Sequence, residues 1–505
     1  MRIVATGVIS SFILWSAVVY ANGPESAFAQ LEAEMAQQPA PADKNGSSKS
    51  IDTQSQQTFD QWRDDYLSEY LVFKQNHFAE YDKMRDQLFL EWGESEQTDQ
   101  TKLVDYQQGG NIKTVVDYQK QEIRVSIKHQ ANQKVDRKQV YQSLQQFNQT
   151  QVLSVPNERS SPQGKSTQDG KSTIEKTQAS ILQLVTDKNL TKTDIAKMVL
   201  AAQQTTQPLD LTLSQAKQVV EQTKIIRKQA EQQKIELERV QDMQHLKASE
   251  LAQVNVNKLK KTPVILPQDQ VEAQKQKIDN LAQQRIEQLN KSAQAAAAKQ
   301  YLQAPSVQQQ ITSYTIKFPS SQPFKLAKPY LADVSQQAKR WQLTPSLMLA
   351  IMHTESYFNP KAQSHIPAYG LMQIVPSTAS VDVNRFLYKK DKAMSRHQLF
   401  DSGKNIETGI AYVHILNSRY LKNIKHPLSR TFCVIAAYNT GAGNVAKTFN
   451  KDGTRSLTKA TKVINRMTPQ EVYQTLVEKL PYKETRDYLR KVTKRTSLYR
   501  EIDKA

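Results

Sequence analysis

In the C-terminal third of the chain, apolar residues recur at helical spacing. Thr344 is a suitable N-cap, Pro345 fits the first helical position, and Leu347, Met348, Ile351 and Met352 share one face. Glu355, four residues after Ile351 and seven after Met348, falls on that same face. Further helical patterns cover Tyr330 to Trp341, Pro345 to Ser356, Asn405 to Tyr420, Leu428 to Tyr438, Val445 to Phe449, Pro469 to Lys479 and Thr485 to Lys494. They predict an all-α domain with a groove over 324–505.

Upstream the period changes. Ile123, Val125 and Ile127 alternate, so Lys113 to Tyr118 and Glu122 to Lys128 read as a hairpin around Gln119-Lys120-Gln121. Ile311 to Phe318 offers one more short strand before Pro319 and Pro323. Phe59, Trp62, Tyr66, Tyr70, Phe73, Phe78 and Tyr81 lie at near-helical intervals, predicting one or two helices up to Trp92 with an aromatic core face. Between them, Val219, Ile226, Val240 and Val254 sit at multiples of seven, a partial coiled-coil register that Gln233 and Lys247 interrupt. The expected organisation is a signal peptide (1–29), a disordered linker (30–57), a small α+β accessory domain (58–150), a linker (151–172), a Gln-rich helical region able to self-associate (173–302), a strand and linker (303–323), and the C-terminal domain. The chain is thus mainly α, with a long helical and partly disordered middle.

The N-terminal Met1-Arg2, the apolar stretch Val8 to Tyr20 and small residues at Ala21 and Ala27-Phe28-Ala29 have the form of an export signal. At about 13 residues the stretch is short of the ~20 that span a bilayer. Export to the periplasm or cell envelope is expected, with membrane tethering by an uncleaved signal left open.

Charge is uneven. From Phe324 to Ala505 there are 30 Lys and Arg against 13 Asp and Glu, leaving 38 against 36 elsewhere, so the basic character belongs to the C-terminal domain. Such a field attracts a polyanion. No zinc-finger, helix-turn-helix or RNP pattern accompanies it, which disfavours nucleic acid and leaves anionic lipid or a carboxylate-rich wall. The one cysteine, Cys433, lies in an apolar run as a small buried hydrophobe, so no intramolecular disulfide forms. The eight histidines are scattered, and none pairs with His353 at the spacing of a zinc-protease helix; no metal or cofactor is expected.

Glu355 is the candidate catalytic group. A carboxyl beside apolar neighbours near the negative end of a helix holds its proton more tightly, which suits a general acid. The competing reading is a solvated Glu ending a core helix. Asp382, Asp391 and Asp401 fall in a polar, looped region and offer no second catalytic acid. Glycines 370, 441 and 443 allow close backbone approach to a polymer, whereas Gly409 and Gly453 read as simple turn or helix-ending positions.

His353-Thr354-Glu355-Ser356, Gly370-Leu371-Met372-Gln373-Ile374, the run Ala436 to Gly443, and Glu484-Thr485-Arg486-Asp487-Tyr488 occur in this order. In sequence and spacing they resemble the family 1 lytic transglycosylases. Ser364-His365-Ile366-Pro367-Ala368 and the helix-plus-hairpin N-terminal region are similar to the transglycosylase C branch and its accessory domain, an element expected here to serve in positioning or wall binding. That branch is lipid-anchored through a cysteine near the cleavage site, and this chain has none before Cys433. The resemblance implies a lysozyme-like fold and a lyase acting on peptidoglycan (murein) without cofactor. Glu355 would protonate the oxygen between N-acetylmuramic acid and N-acetylglucosamine, then take the C6 hydroxyl proton, leaving a 1,6-anhydromuramoyl end. It further implies that Ser356 and Gln373 bond substrate or hold the acid, Gly370 lets the strand approach, and Met372 forms groove wall. Tyr438 and Asn439 would bind near the scissile bond, and Tyr488 would orient Glu355. Read from the residues alone, Tyr438 and Tyr488 are equally buried packing tyrosines, and Asn439 a helix C-cap. A water-using muramidase and a wall-binding scaffold with a vestigial cleft remain the alternatives.

Overall fold

A five-stranded antiparallel sheet collects segments that lie far apart in the chain. Its order is Lys102–Gln107, Ile112–Asp117, Glu122–Gln130, Gln309–Lys317 and Gln203–Pro208. The computed structural model describes residues 78–88, 91–156, 176–186, 190–209, 211–253, 267–301, 309–317, 323–364, 368–390 and 392–504. The expected hairpin is present, with Asp117 opposite Glu122. Ile123, Val125 and Ile127 are buried, together with Val140, Leu144, Ile195 and Val199 from the helices Arg137–Thr150 and Lys192–Ala201. The late strand pairs along its whole length with Glu122–Gln130, from Glu122–Lys317 to Gln130–Gln309. A sheet at the start of the chain is therefore completed by residues just ahead of the C-terminal domain.

The chain divides into two units, Met1–Glu96 with Asp210–Gln215, and Gln97–Leu209 with Ala216–Ala505. Of the aromatic helix expected in the first, the part before residue 78 lies outside the described residues, as do the signal and the first linker. Residues 78–88 are helical, with Phe78 and Leu88 buried and Tyr81 half-buried. Arg85 is buried there, its guanidinium bonded to Asp82 at 2.5 Å and Asp86 at 2.8 Å.

Two long helices follow, Leu211–Gln253, which belongs to the second unit from Ala216 on, and Gln268–Tyr301. Ile226 and Ala230 of the first pack with Ile278, Ala282, Ile286 and Leu289 of the second, with Val219 at the margin. Two positions of the heptad register are thus satisfied within the chain, while Val240 is only half-buried and Val254 lies outside the described residues. Among the described residues, no helix is long and apolar enough to cross a membrane.

The C-terminal part is all-α around one apolar cluster. Pro345–Ser356 is central, packed against Lys483–Thr496 and the terminal segment Ser497–Lys504. Thr344 occupies the cap position, but its side chain makes no capping bond. Asp503 supplies it instead, accepting from the Ser346 N–H at 2.8 Å and the Ser346 hydroxyl at 2.5 Å. Two further expectations are corrected. Asp382 lies in the helix Val381–Tyr388, buried, and accepts from the Tyr420 hydroxyl at 3.0 Å; Asp401 caps Ser402–Ile415 by accepting from the Lys404 N–H. Gly409 ends nothing: it sits inside Ser402–Ile415, where an added Cβ would lie 2.3 Å from the Met372 sulfur. Gly453 does occupy an open turn, with φ +66°.

Candidate active site

Glu355 is the penultimate residue of Pro345–Ser356, a helix that ends because Tyr357 turns left-handed at φ 50°. Arg495 closes this end, donating to the carbonyl of His353 at 3.0 Å and to the Thr354 hydroxyl at 3.1 Å, where a cation is favoured. The Glu355 side chain is only 9% exposed and accepts a 2.7 Å hydrogen bond at Oε1 from the Tyr488 hydroxyl. Burial pushes its pKa up to about 7, against the opposing pull of the Tyr488 bond and the Arg239 charge. A carboxyl with that pKa holds its proton near neutrality and still releases it readily.

Beneath the acid, the Gly370–Ile374 turn is tied down from several sides. Gly370 has φ +74°, and a Cβ there would meet the Leu399 carbonyl at 2.4 Å, so the close approach this glycine permits is internal. Met372 is fully buried, its N–H donating to Asn405 Oδ1 at 2.8 Å, which places it in the core under the cleft. Ser356 is also fully buried, donating to the Leu371 carbonyl at 2.7 Å and so joining the acid's helix to the turn. Gln373 adopts φ 47° and reaches the cleft. Its Nε2 donates to the carbonyls of Ala362 and Gly370, at 3.1 and 3.0 Å, while Oε1 has no protein partner among the described residues.

The opposite wall comes from Pro427–Thr440. Tyr438 lines the cleft and donates its hydroxyl to the Met372 carbonyl at 2.8 Å. Asn439 lines it too and accepts at Oδ1 from the Thr485 hydroxyl at 2.7 Å; it lies inside the helix, whose C-cap is Gly441. Glu355, Gln373, Tyr438, Asn439 and Tyr488 therefore meet at one cavity of about 460 Å³, while Ser356, Gly370 and Met372 form its support. His353, next to the acid, is a core imidazole stacked on Phe358 and bonded to the Tyr499 hydroxyl at 2.9 Å; burial lowers its pKa to about 3. Cys433 is fully buried.

Reading the motifs in order missed the rest of the lining. Lys228, Gln232, Glu236 and Arg239 of the long helix Leu211–Gln253 face Glu355 across the cavity, and Glu484 stands beside it. Of the added carboxylates, Glu236 accepts from the Ser377 and Thr378 hydroxyls at 3.1 and 2.7 Å, Glu484 from Gln232 at 3.3 Å, and Asp487 pairs with Lys483, while Glu231 also lines the cavity. A polar, Gln-rich helix more than a hundred residues upstream carries no local sign of this position beyond the closely spaced charges between Glu231 and Asp242.

Several known proteins are similar to the C-terminal part of the chain. Residues 333–460 match the family described as transglycosylase SLT domain. The chain is 44% identical over 190 residues to membrane-bound lytic murein transglycosylase C of Salmonella arizonae, covering 38% of this chain and 51% of that protein. It is 46% identical over the same length to the Serratia proteamaculans protein of that name, covering 38% and 52%. The chain thus spans about half the length of the curated relatives it matches. Among solved structures, lytic transglycosylase Slt of Pseudomonas aeruginosa is similar at 27% identity, with a TM-score of 0.27 over 35% of this chain and 25% of that one. The C-terminal helical lobe, with Glu355 at its cleft, thus contains the stretch, 333–460, that is similar to the transglycosylase SLT domain family.

Proposed function

We propose that the protein is a lytic transglycosylase of peptidoglycan, cleaving the bond between N-acetylmuramic acid and N-acetylglucosamine without water. The observation that carries this reading is the state of Glu355: a buried carboxyl with its pKa near 7, oriented by Tyr488 at a polar cavity. Protonated, it gives its proton to the bridging oxygen as the bond breaks. The sugar's acetamido group stabilises the positive centre, as in substrate-assisted glycosidases. The carboxylate then accepts the C6 hydroxyl proton while that oxygen closes on C1, which restores the acid and yields the anhydro end. Gln373 Oε1 is a free acceptor for a sugar hydroxyl or amide, and Tyr438 and Asn439 hold the other wall.

The remaining carboxylates at the cavity favour one alternative, a water-activating muramidase with Glu236 as base. Its bonds to Ser377 and Thr378 weigh against that role. Mass spectrometry of products released from purified sacculi separates the two. Anhydro ends, lost with Glu355→Gln, are expected; reducing ends would establish hydrolysis, and a cellular role left intact by Glu355→Gln would leave only a scaffold. Location in the cell envelope, reached through the N-terminal signal, and a wall-binding or positioning role for the sheet region belong to the same proposal.

A further inference from the structure

Between Lys228 and Asp242, the long helix lies on both lips of the cleft. On one lip, Glu236 accepts from Ser377 and Thr378. On the other, Arg239 donates to the backbone carbonyls of Tyr438 and Asn439, and Asp242 accepts from the Gly443 N–H at 2.8 Å and from Arg455 at 2.8 Å. Glu238 adds bonds from Asn444 at 2.7 Å and the Tyr482 hydroxyl at 3.0 Å. Gly441 and Gly443 are the contact points: a Cβ on Gly443 would fall 2.0 Å from Asp242 Oδ1. The glycines expected to admit a polymer thus admit the protein's own helix.

Two properties decide what this contact is for. A strand many sugars long needs a groove open at both ends, whereas the helix bridges the walls and leaves a cavity sized for a small molecule. The contact is also polar. The helical pair has an apolar cluster of its own, Ile226 and Ala230 with Ile278 to Leu289, separate from the lobe's core; of the contact segment's apolar residues, Ile235 and Leu237 are buried outside both clusters, Ile235 at the cavity. Lifting it would uncover chiefly ion pairs and hydrogen bonds, which water can replace, with Ile235 the apolar side chain at the cavity, and would leave both apolar clusters whole. Buried ion pairs of this kind give register more than net stability.

Resting on the assignment of the cleft as the glycan site, we infer that the helix pair of the second unit, within 216–253 and 268–301, is a detachable cover, latched by Glu236, Glu238, Arg239 and Asp242, that excludes glycan strands until it lifts. The test uses the full chain with Glu236→Gln and Asp242→Asn together, and Asp242→Asn alone as the milder variant. Without any ligand, amide hydrogen exchange should quicken about tenfold across 228–242 and stay slow in 345–356 and 427–440. Exchange unchanged at 228–242, or quickened equally in the lobe, would overturn the proposal. Product release from sacculi should rise about tenfold, because binding is limited by the fraction of open molecules. A fall in release would mean that the helix is a wall of the working site and would also overturn it. No product from wild type or variant, with faster exchange at 228–242, would leave the cover standing and remove the transglycosylase reading.

Discussion

At the residue scale the chemistry rests on a carboxyl whose protonation is set by burial. Folding raises the Glu355 pKa above its unfolded value, so from the ordinary carboxyl range up to about 7 the folded protein holds more protons than the unfolded one. Stability from this group is present below that window and lost as pH rises through it. Glu355→Gln should therefore raise the melting temperature at pH 8, by an amount on the order of 3 kcal/mol in stability, with no gain below pH ~4. In the same variant, activity on sacculi should fall ~10²-fold or more. Tyr488→Phe removes the hydrogen bond that holds this pKa down. The basic limb of the pH–rate profile should then move to higher pH; a limb that stays in place would separate Tyr488 from the acid. Helical spacing alone put Glu355 on an apolar face. The Tyr488 contact bridges 133 positions of sequence and was accessible only through the family likeness.

Among elements, local patterning was legible and partnership was not. Pro345 and the stripe through Met352 mark a helix whose observed bounds, Pro345–Ser356, agree with the expectation. Its cap comes from Asp503 and its C-terminal cation from Arg495, both on segments that the first turn of the helix does not reveal. Gly409 shows the same limit: nothing local distinguishes a glycine that ends a helix from one that accommodates Met372. Gly409→Ala should cost about 1–3 kcal/mol through overpacking, despite the better helix propensity of Ala. Thermal or denaturant melting checks this, and an unchanged or raised stability would show that Met372 moves aside freely.

For the whole molecule, charge and topology act together. The excess of Lys and Arg lies after Phe324, so the C-terminal lobe itself should adhere to an anionic wall. Binding of the full chain to sacculi should weaken as salt rises from about 0.1 to about 1 M, where the screening length shortens from ~10 to ~3 Å; salt-independent binding would point to contacts of another kind. The late strand Gln309–Lys317 and the helical hairpin show how far the chain returns on itself, one completing an early sheet and the other reaching the cleft. The sequence by itself determined the helical lobe, the alternating strands, the acid and the motifs around it, because periodicity and short-range spacing are local properties of a chain. Only the tertiary structure decided which strands pair, which side chains cap the acid's helix, and that a polar helix lies over the cleft. Those depend on hydrogen bonds and ion pairs between residues up to 252 positions apart, which leave no periodic trace in the sequence.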